Sequence, residues 1–113
     1  MDSITDVEEA LLCDARGEDR ITAIACWRDY SAVRALNFCL MRGIDVPGDI
    51  AIAGFDGVQH VDVPTGMSLT TVKAHWRTVA RTATDQISAM LLGEPAGSDV
   101  TIIPAELRAG TTS

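Results

Sequence analysis

The chain has 113 residues, 47% hydrophobic but only 4% aromatic, with a formal net charge of −7. That length holds one small domain or part of one, with a core of Ala, Val, Ile and Leu such as α/β layers use. Its nine basic residues form no cluster, which argues against a nucleic-acid grip, and no apolar run approaches the ~20 residues of a membrane span.

No basic start followed by an apolar stretch marks a secretion signal. Cys13, Cys26 and Cys39 are odd in number and form no CxxC pair. They are expected to be free thiols in a reducing compartment, so the cytoplasm is the expected location and no metal is expected. His60 and His75 lie far apart without neighbouring ligands.

Thr5-Asp6-Val7-Glu8 fits a capping box that opens a helix to about Ala15, ended by Gly17. Ile21 to Cys26 is short and mostly apolar and reads as a buried strand. Asp29 stands where an N-cap is expected, for a helix to Arg42 with Val33, Leu36, Leu40 and Met41 on one face. Gly43 supplies a left-handed position after it, and Ile44 the apolar contact. Pro47-Gly48-Asp49 then turns the chain into Ile50-Ala51-Ile52-Ala53-Gly54-Phe55, an apolar run without alternation. Such a run suits a central strand of a parallel sheet, covered on both faces.

Asp56-Gly57 comes next, then a loop to Ser68. Leu69 to Val72 reads as an extended piece whose Thr caps the next helix, Lys73 to Leu92. That helix carries one stripe through Trp76, Val79, Ala80, Ala83, Ile87, Met90 and Leu91, and Gly93 and Pro95 stop it. Val100 to Pro104 reads as a last strand and Glu106 to Ser113 as an extended tail. Helix, strand, helix, strand, loop, helix, strand is an α/β order. It implies a parallel sheet flanked by helices and right-handed crossovers.

In open α/β sheets, ligands bind outside the carboxyl ends of the strands. Trp27, Arg28 and Asp29 come after one strand and Asp56 after the next. An indole face, a guanidinium and two carboxylates on one rim suit a hydroxyl-rich ligand. Each also has a plainer reading. Asp29 caps its helix, Arg28 is solvated or pairs with Asp29, Trp27 is core or interface, and Asp56-Gly57 is a turn. No GxSxG, P-loop or GxGxxG occurs and no spacing favours a catalytic triad, so no catalysis and no cofactor are expected.

Taken together these segments resemble the effector-binding domain of the LacI/GalR family of bacterial transcription regulators. Cys26-Trp27-Arg28-Asp29 resembles the family's strand end in Asn-Asp, and Ala32 to Gly43 its Ala-rich helix ending Arg-Gly. Val46-Pro47-Gly48-Asp49-Ile50 is similar to its Val-Pro-x-Asp-Val/Ile turn, and Gly54-Phe55-Asp56 to its Gly-Phe/Tyr-Asp. Leu69-Thr70-Thr71-Val72-Lys73 and the stretch from Pro104 to Thr112 match its closing motifs, with Gly110 where an Arg is usual.

The resemblance implies a partial periplasmic-binding-protein-like (type I) subdomain from the C-terminal part of such a domain. The family's DNA-binding and N-terminal parts have no counterpart among these residues. It implies a small-molecule, sugar-like effector held by Asp56, with Arg28 in place of the family's Asn, Ala74 in place of its usual Gln, and Trp76 at a pocket-lining position. The loss of two amides and the gain of an Arg tilt the expected effector towards an acid or a phosphate. It implies a homodimer through Val33, Leu36, Asn37 and Leu40 on one helix and Val58 and Val61 in the loop beyond Asp56. DNA would be reached through another domain, not through this segment. A transport binding protein of the same fold is the alternative. A phosphoacceptor domain built on Asp56 needs an acidic pair at an earlier strand end and a Lys at a later one, whereas Asp29 is a single acid and Lys73 is expected to open a helix.

Overall fold

The computed structural model describes residues 18–58, 61–95 and 100–113. The expected first helix and Cys13 lie outside these residues. Contacts divide the chain into two compact units, one of residues up to Lys73 together with Leu107–Ser113, the other Ala74–Glu106.

The first unit is built on a short crossover. Strand β1 (Ala23–Ala25) leads into helix α1 (Asp29–Met41), and the chain returns as strand β2 (Ala51–Asp56). The loop after β2 delivers strand β3 (Thr70–Lys73). β1 pairs with β2 in parallel, Ala23 beside Ala51 and Ile24 beside Ile52, and β2 pairs with β3 in parallel, Ala53 beside Thr70 and Asp56 beside Lys73. The sheet order is β1-β2-β3-β4, with the short β4 (Glu106–Arg108) at the far edge. The parallel strands therefore all end on one rim.

α1 is a helix because its apolar residues repeat at helical spacing and land on this sheet. Ala32, Ala35, Leu36 and Cys39 are buried against Ile44, Val46, Ile50 and Ile52. Leu36, Ile50 and Ile52 are fully buried, each contributing roughly 1.5–3 kcal/mol through its apolar surface. Burial pushes the Cys39 thiol above its ordinary pKa, which keeps it protonated and unreactive. The helix ends as expected. Gly43 has φ 66, its N–H bonds to Leu40 O, and Ile44 N–H bonds to Cys39 O, the pattern of a Schellman stop.

Three expectations change. Residues 100–104 form no strand; Val100 and Ile102 stay largely exposed, and the strand comes later, at Glu106–Arg108. A strand exists only where it meets an unpaired edge, and Pro104 has no N–H to give one. The segment Leu69 to Val72 is more than an extended lead into a helix. Thr70–Lys73 is a full member of the sheet, and helix α2 begins three residues later as Trp76–Leu91, with His75 at its N-cap and no side-chain cap. β1 is also less enclosed than its apolar composition suggests, with Ala23 and Ala25 exposed.

The tail is not a loose end. Between β2 and β3, just before their ladder begins, Thr112 takes the place of a strand residue. Its carbonyl accepts from Ile52 N–H at 2.7 Å. Its hydroxyl accepts from Thr70 N–H at 2.9 Å and donates to the Ile52 carbonyl at 2.7 Å. Thr111 adds a backbone bond to Ser68 O at 2.7 Å. Gly110 N–H donates to Thr70 Oγ1 at 2.8 Å. A side chain at Gly110 would run into the Ser68 carbonyl, which accounts for a glycine where the resembling family has an Arg.

The second unit carries α2. None of its residues is buried, and Trp76, Ile87, Met90 and Leu91 of the expected stripe are mostly exposed. Within this unit His75 Nε2 and Glu106 Oε2 lie 3.9 Å apart. Gln86 Nε2 donates to Thr101 Oγ1 at 2.7 Å. Among the described residues no helix is long and apolar enough to cross a membrane.

Thr112→Val keeps the shape of the buried plug but strips its hydroxyl from Thr70 N–H and Ile52 O. It should cost about 1–3 kcal/mol of stability, read as a lower urea midpoint with an unchanged slope.

Candidate functional site

Three strand ends make the rim. Beyond β1 come Cys26, Trp27 and Arg28; β2 ends on Asp56 and β3 on Lys73. The ladder runs one residue past β1, with Cys26 N–H bonded to Ala53 O at 2.8 Å. Trp27 then turns outward and is 73% exposed. The Arg28 guanidinium lies over its ring, Cζ 4.5 Å from the centroid, a cation–π contact that holds both groups in one place. Arg28 Nε also points at Ser31 Oγ, 3.4 Å away.

Asp56 has φ 109. For a residue with a side chain this left-handed backbone costs on the order of 1–3 kcal/mol and persists only where the surroundings impose it. The next residue, Gly57, is left-handed too, at φ 69. A Cβ there would sit 2.8 Å from Lys73 Cα, Cβ and Cγ, so only glycine lets the chain pass over Lys73. The turn is closed by Val58 N–H, which donates to Asp29 Oδ2 at 2.7 Å.

Asp29 therefore has a different task from either of those expected. It is the first residue of α1 and is only 1% exposed. The residue before it, Arg28, is the N-cap, and no side chain caps the helix. One Asp29 oxygen holds Val58; the other accepts the hydroxyl of Thr71 in β3. Bonds to other elements have displaced the local cap. Gly54 permits the approach, because a side chain there would collide with the Asp29 carboxylate and stand 3.1 Å from its Cα.

Trp27 and Arg28 thus follow β1 and Asp56 ends the neighbouring strand β2, with Asp29 bracing the loop that leaves Asp56. Trp76 opens α2 in the other unit and is 57% exposed. Of the expected pairing residues, Leu36 and Val33 are buried in the unit's own core, which removes them from any partner surface; Asn37, Leu40, Val58 and Val61 remain accessible. Val58 and Val61 also line a cleft of about 300 Å³ with Met67, Leu69, Thr71 and Arg108. Two residues escape a reading of the sequence alone, Lys73 as a rim residue and Thr71 as the partner of Asp29. The β-branched run Thr70-Thr71-Val72 is the available strand signal.

Comparison with known proteins decides the family. A model of the periplasmic binding protein-like domain matches residues 3–113. The chain belongs to this family. An HTH-type transcriptional regulator of Mycolicibacterium smegmatis is 38% identical over 84 residues, covering 74% of this chain and 21% of the relative. A LacI-family regulator structure from Sanguibacter keddieii is 30% identical with a TM-score of 0.74, covering 93% of this chain and 39% of that one. An Arthrobacter LacI-family regulator, solved in complex with lactose, is 26% identical with a TM-score of 0.70, covering 93% of this chain and 39% of that one. The resemblance to the effector-binding domain of LacI/GalR regulators thus holds along nearly the whole chain. The chain spans about a fifth of the length of the curated relative.

Asp29→Ala should remove about 2–3 kcal/mol of stability, since it leaves a buried N–H and a buried hydroxyl without acceptors. Urea unfolding monitored by circular dichroism measures this. An unchanged midpoint would show that Val58 and Thr71 find other partners.

Proposed function

We propose that this chain is part of the effector-sensing module of a bacterial transcription regulator, a binding unit without catalysis. The observation that carries the reading is Asp56. It stands at the carboxyl end of a central parallel strand, in a backbone conformation that its surroundings must hold, and the neighbouring strand β1 leads into a Trp27–Arg28 pair in cation–π contact. Strand-end rims of this kind are where open α/β sheets take ligands. The effector is a small hydroxylated molecule, sugar-like in size and polarity. The Asp56 carboxylate accepts its hydroxyls, and the indole of Trp27 covers an apolar ring face.

Relatives that are transcription regulators support the reading. DNA is contacted by another part of the protein. The acidic net charge of this segment, −7, disfavours a DNA contact here. The module works as a homodimer in the cytoplasm, through the open side of α1 at Asn37 and Leu40 and the loop at Val58 and Val61.

Asp56→Ala, made in the whole natural polypeptide that carries these residues, should weaken the effector response by about 1–3 kcal/mol, the loss of a charged hydrogen bond. Effector titration of operator release reads it, and an unchanged titration takes Asp56 out of the site. Light scattering across concentrations should find dimers. A particle near 12.0 kDa throughout would remove the pairing of this segment.

A further inference from the structure

Two neighbouring strands end on charged residues, β2 on Asp56 and β3 on Lys73, and on the other side of β2 the chain leaving β1 carries Arg28 three residues beyond the strand, at the start of α1. Neighbouring strands lie about 4.8 Å apart, so Lys73, in register with Asp56, stands one strand spacing from it, and Arg28 follows the strand on the opposite side of β2. Among the described residues no acid pairs with Arg28 or Lys73 and no cation pairs with Asp56. Arg28 contacts a hydroxyl and an indole, both neutral. The other acid at this rim, Asp29, is buried and committed to the Val58 N–H and the Thr71 hydroxyl.

Resting on the effector reading above, we propose that the ligand of this rim is a polyhydroxylated anion, with a carboxylate or phosphate on Arg28 and hydroxyls on Asp56. The Arg28 side chain is already ordered for this. Its Nε is spent on Ser31 and its plane rests on Trp27, which leaves the two terminal nitrogens side by side. That pair matches two oxygens of a carboxylate or phosphate, and it discriminates poorly among single hydroxyls. A ligand that covers Arg28 also strips its water. A neutral polyol returns dipoles for it, whereas an anion returns a charge.

Asp56 sets the opposite requirement one strand away. It repels a second negative group at that point and accepts hydroxyl protons, so the anionic group belongs at one end of the ligand. Lys73, whose stem leaves no room for a Cβ at Gly57, adds positive potential on the far side of Asp56 and favours net negative charge on the ligand as a whole.

The test is calorimetric titration of the whole natural polypeptide with matched sets: glucose, gluconate and glucose phosphate, and the galactose and mannose counterparts. In at least one set an anion should bind about tenfold or more tightly than its neutral parent. Raising the salt should narrow the gap. Arg28→Asn should abolish the preference and Arg28→Lys should retain part of it, with melting by circular dichroism confirming that both variants are folded. Neutral sugars binding as tightly as their anions, or a preference that survives Arg28→Asn, overturns the proposal and leaves the effector reading standing. Binding of no member of the sets also overturns it, and the effector reading then rests on the Asp56 titration.

Discussion

One buried carboxylate sets the geometry of the rim. Asp29 stands at the first turn of α1, almost without solvent, and accepts hydrogen bonds from the loop after β2 and from the side chain of β3. A carboxylate out of water is stable only if its oxygens are occupied. Here the carboxylate and its partners belong to three consecutive parts of the chain, so satisfying one group fixes the start of the helix against two strands. The bond to Val58 N–H has a further effect. It closes the chain immediately after Asp56 and Gly57, both of them left-handed. The strain at Asp56 persists because Asp29 pins the far end of this turn.

A second polar plug works at the other end of the same strands. Thr112 bonds to both backbone groups of Ile52 and to Thr70 N–H. The ladder between β2 and β3 begins only at Ala53 and Thr70. Without the tail, the groups just before that point would be buried and unpaired, at a cost of about 1–3 kcal/mol each. The two plugs differ in kind. Thr112 completes a sheet and serves stability. Asp29 shapes a turn and serves the rim through the residue it holds in place.

Between them lies an aliphatic core with no aromatic member among its fully buried residues, made by α1 on β2. The small residues of the strands let helix and sheet approach closely, and Gly54 is the limit of this, since it admits the Asp29 carboxylate itself. The two tryptophans and several other large apolar residues stand elsewhere. Trp27 is out on the rim, and Trp76, Met90 and Leu91 are out on α2.

Much of this is legible in the residue order. The helix from Asp29, its stop at Gly43 and the central strand ending on Asp56 come from periodicity, from glycine chemistry and from an unbroken apolar run. These are local signals, and local physics decides them. The ordered set of short motifs also points to the LacI/GalR effector domain by itself. The tertiary structure alone decided where polar side chains spend their hydrogen bonds. Asp29 reads as a cap because caps are local, yet its oxygens go to residues 29 and 42 positions away in the chain. Leu69 to Val72 read as a lead into a helix opening at Lys73 because four residues carry little period, and only the open edge of β2 makes Thr70–Lys73 a strand. The last strand falls at Glu106–Arg108 rather than in the more apolar stretch before it for the same reason. An edge must be present for a strand to form, and no sequence window contains the edge.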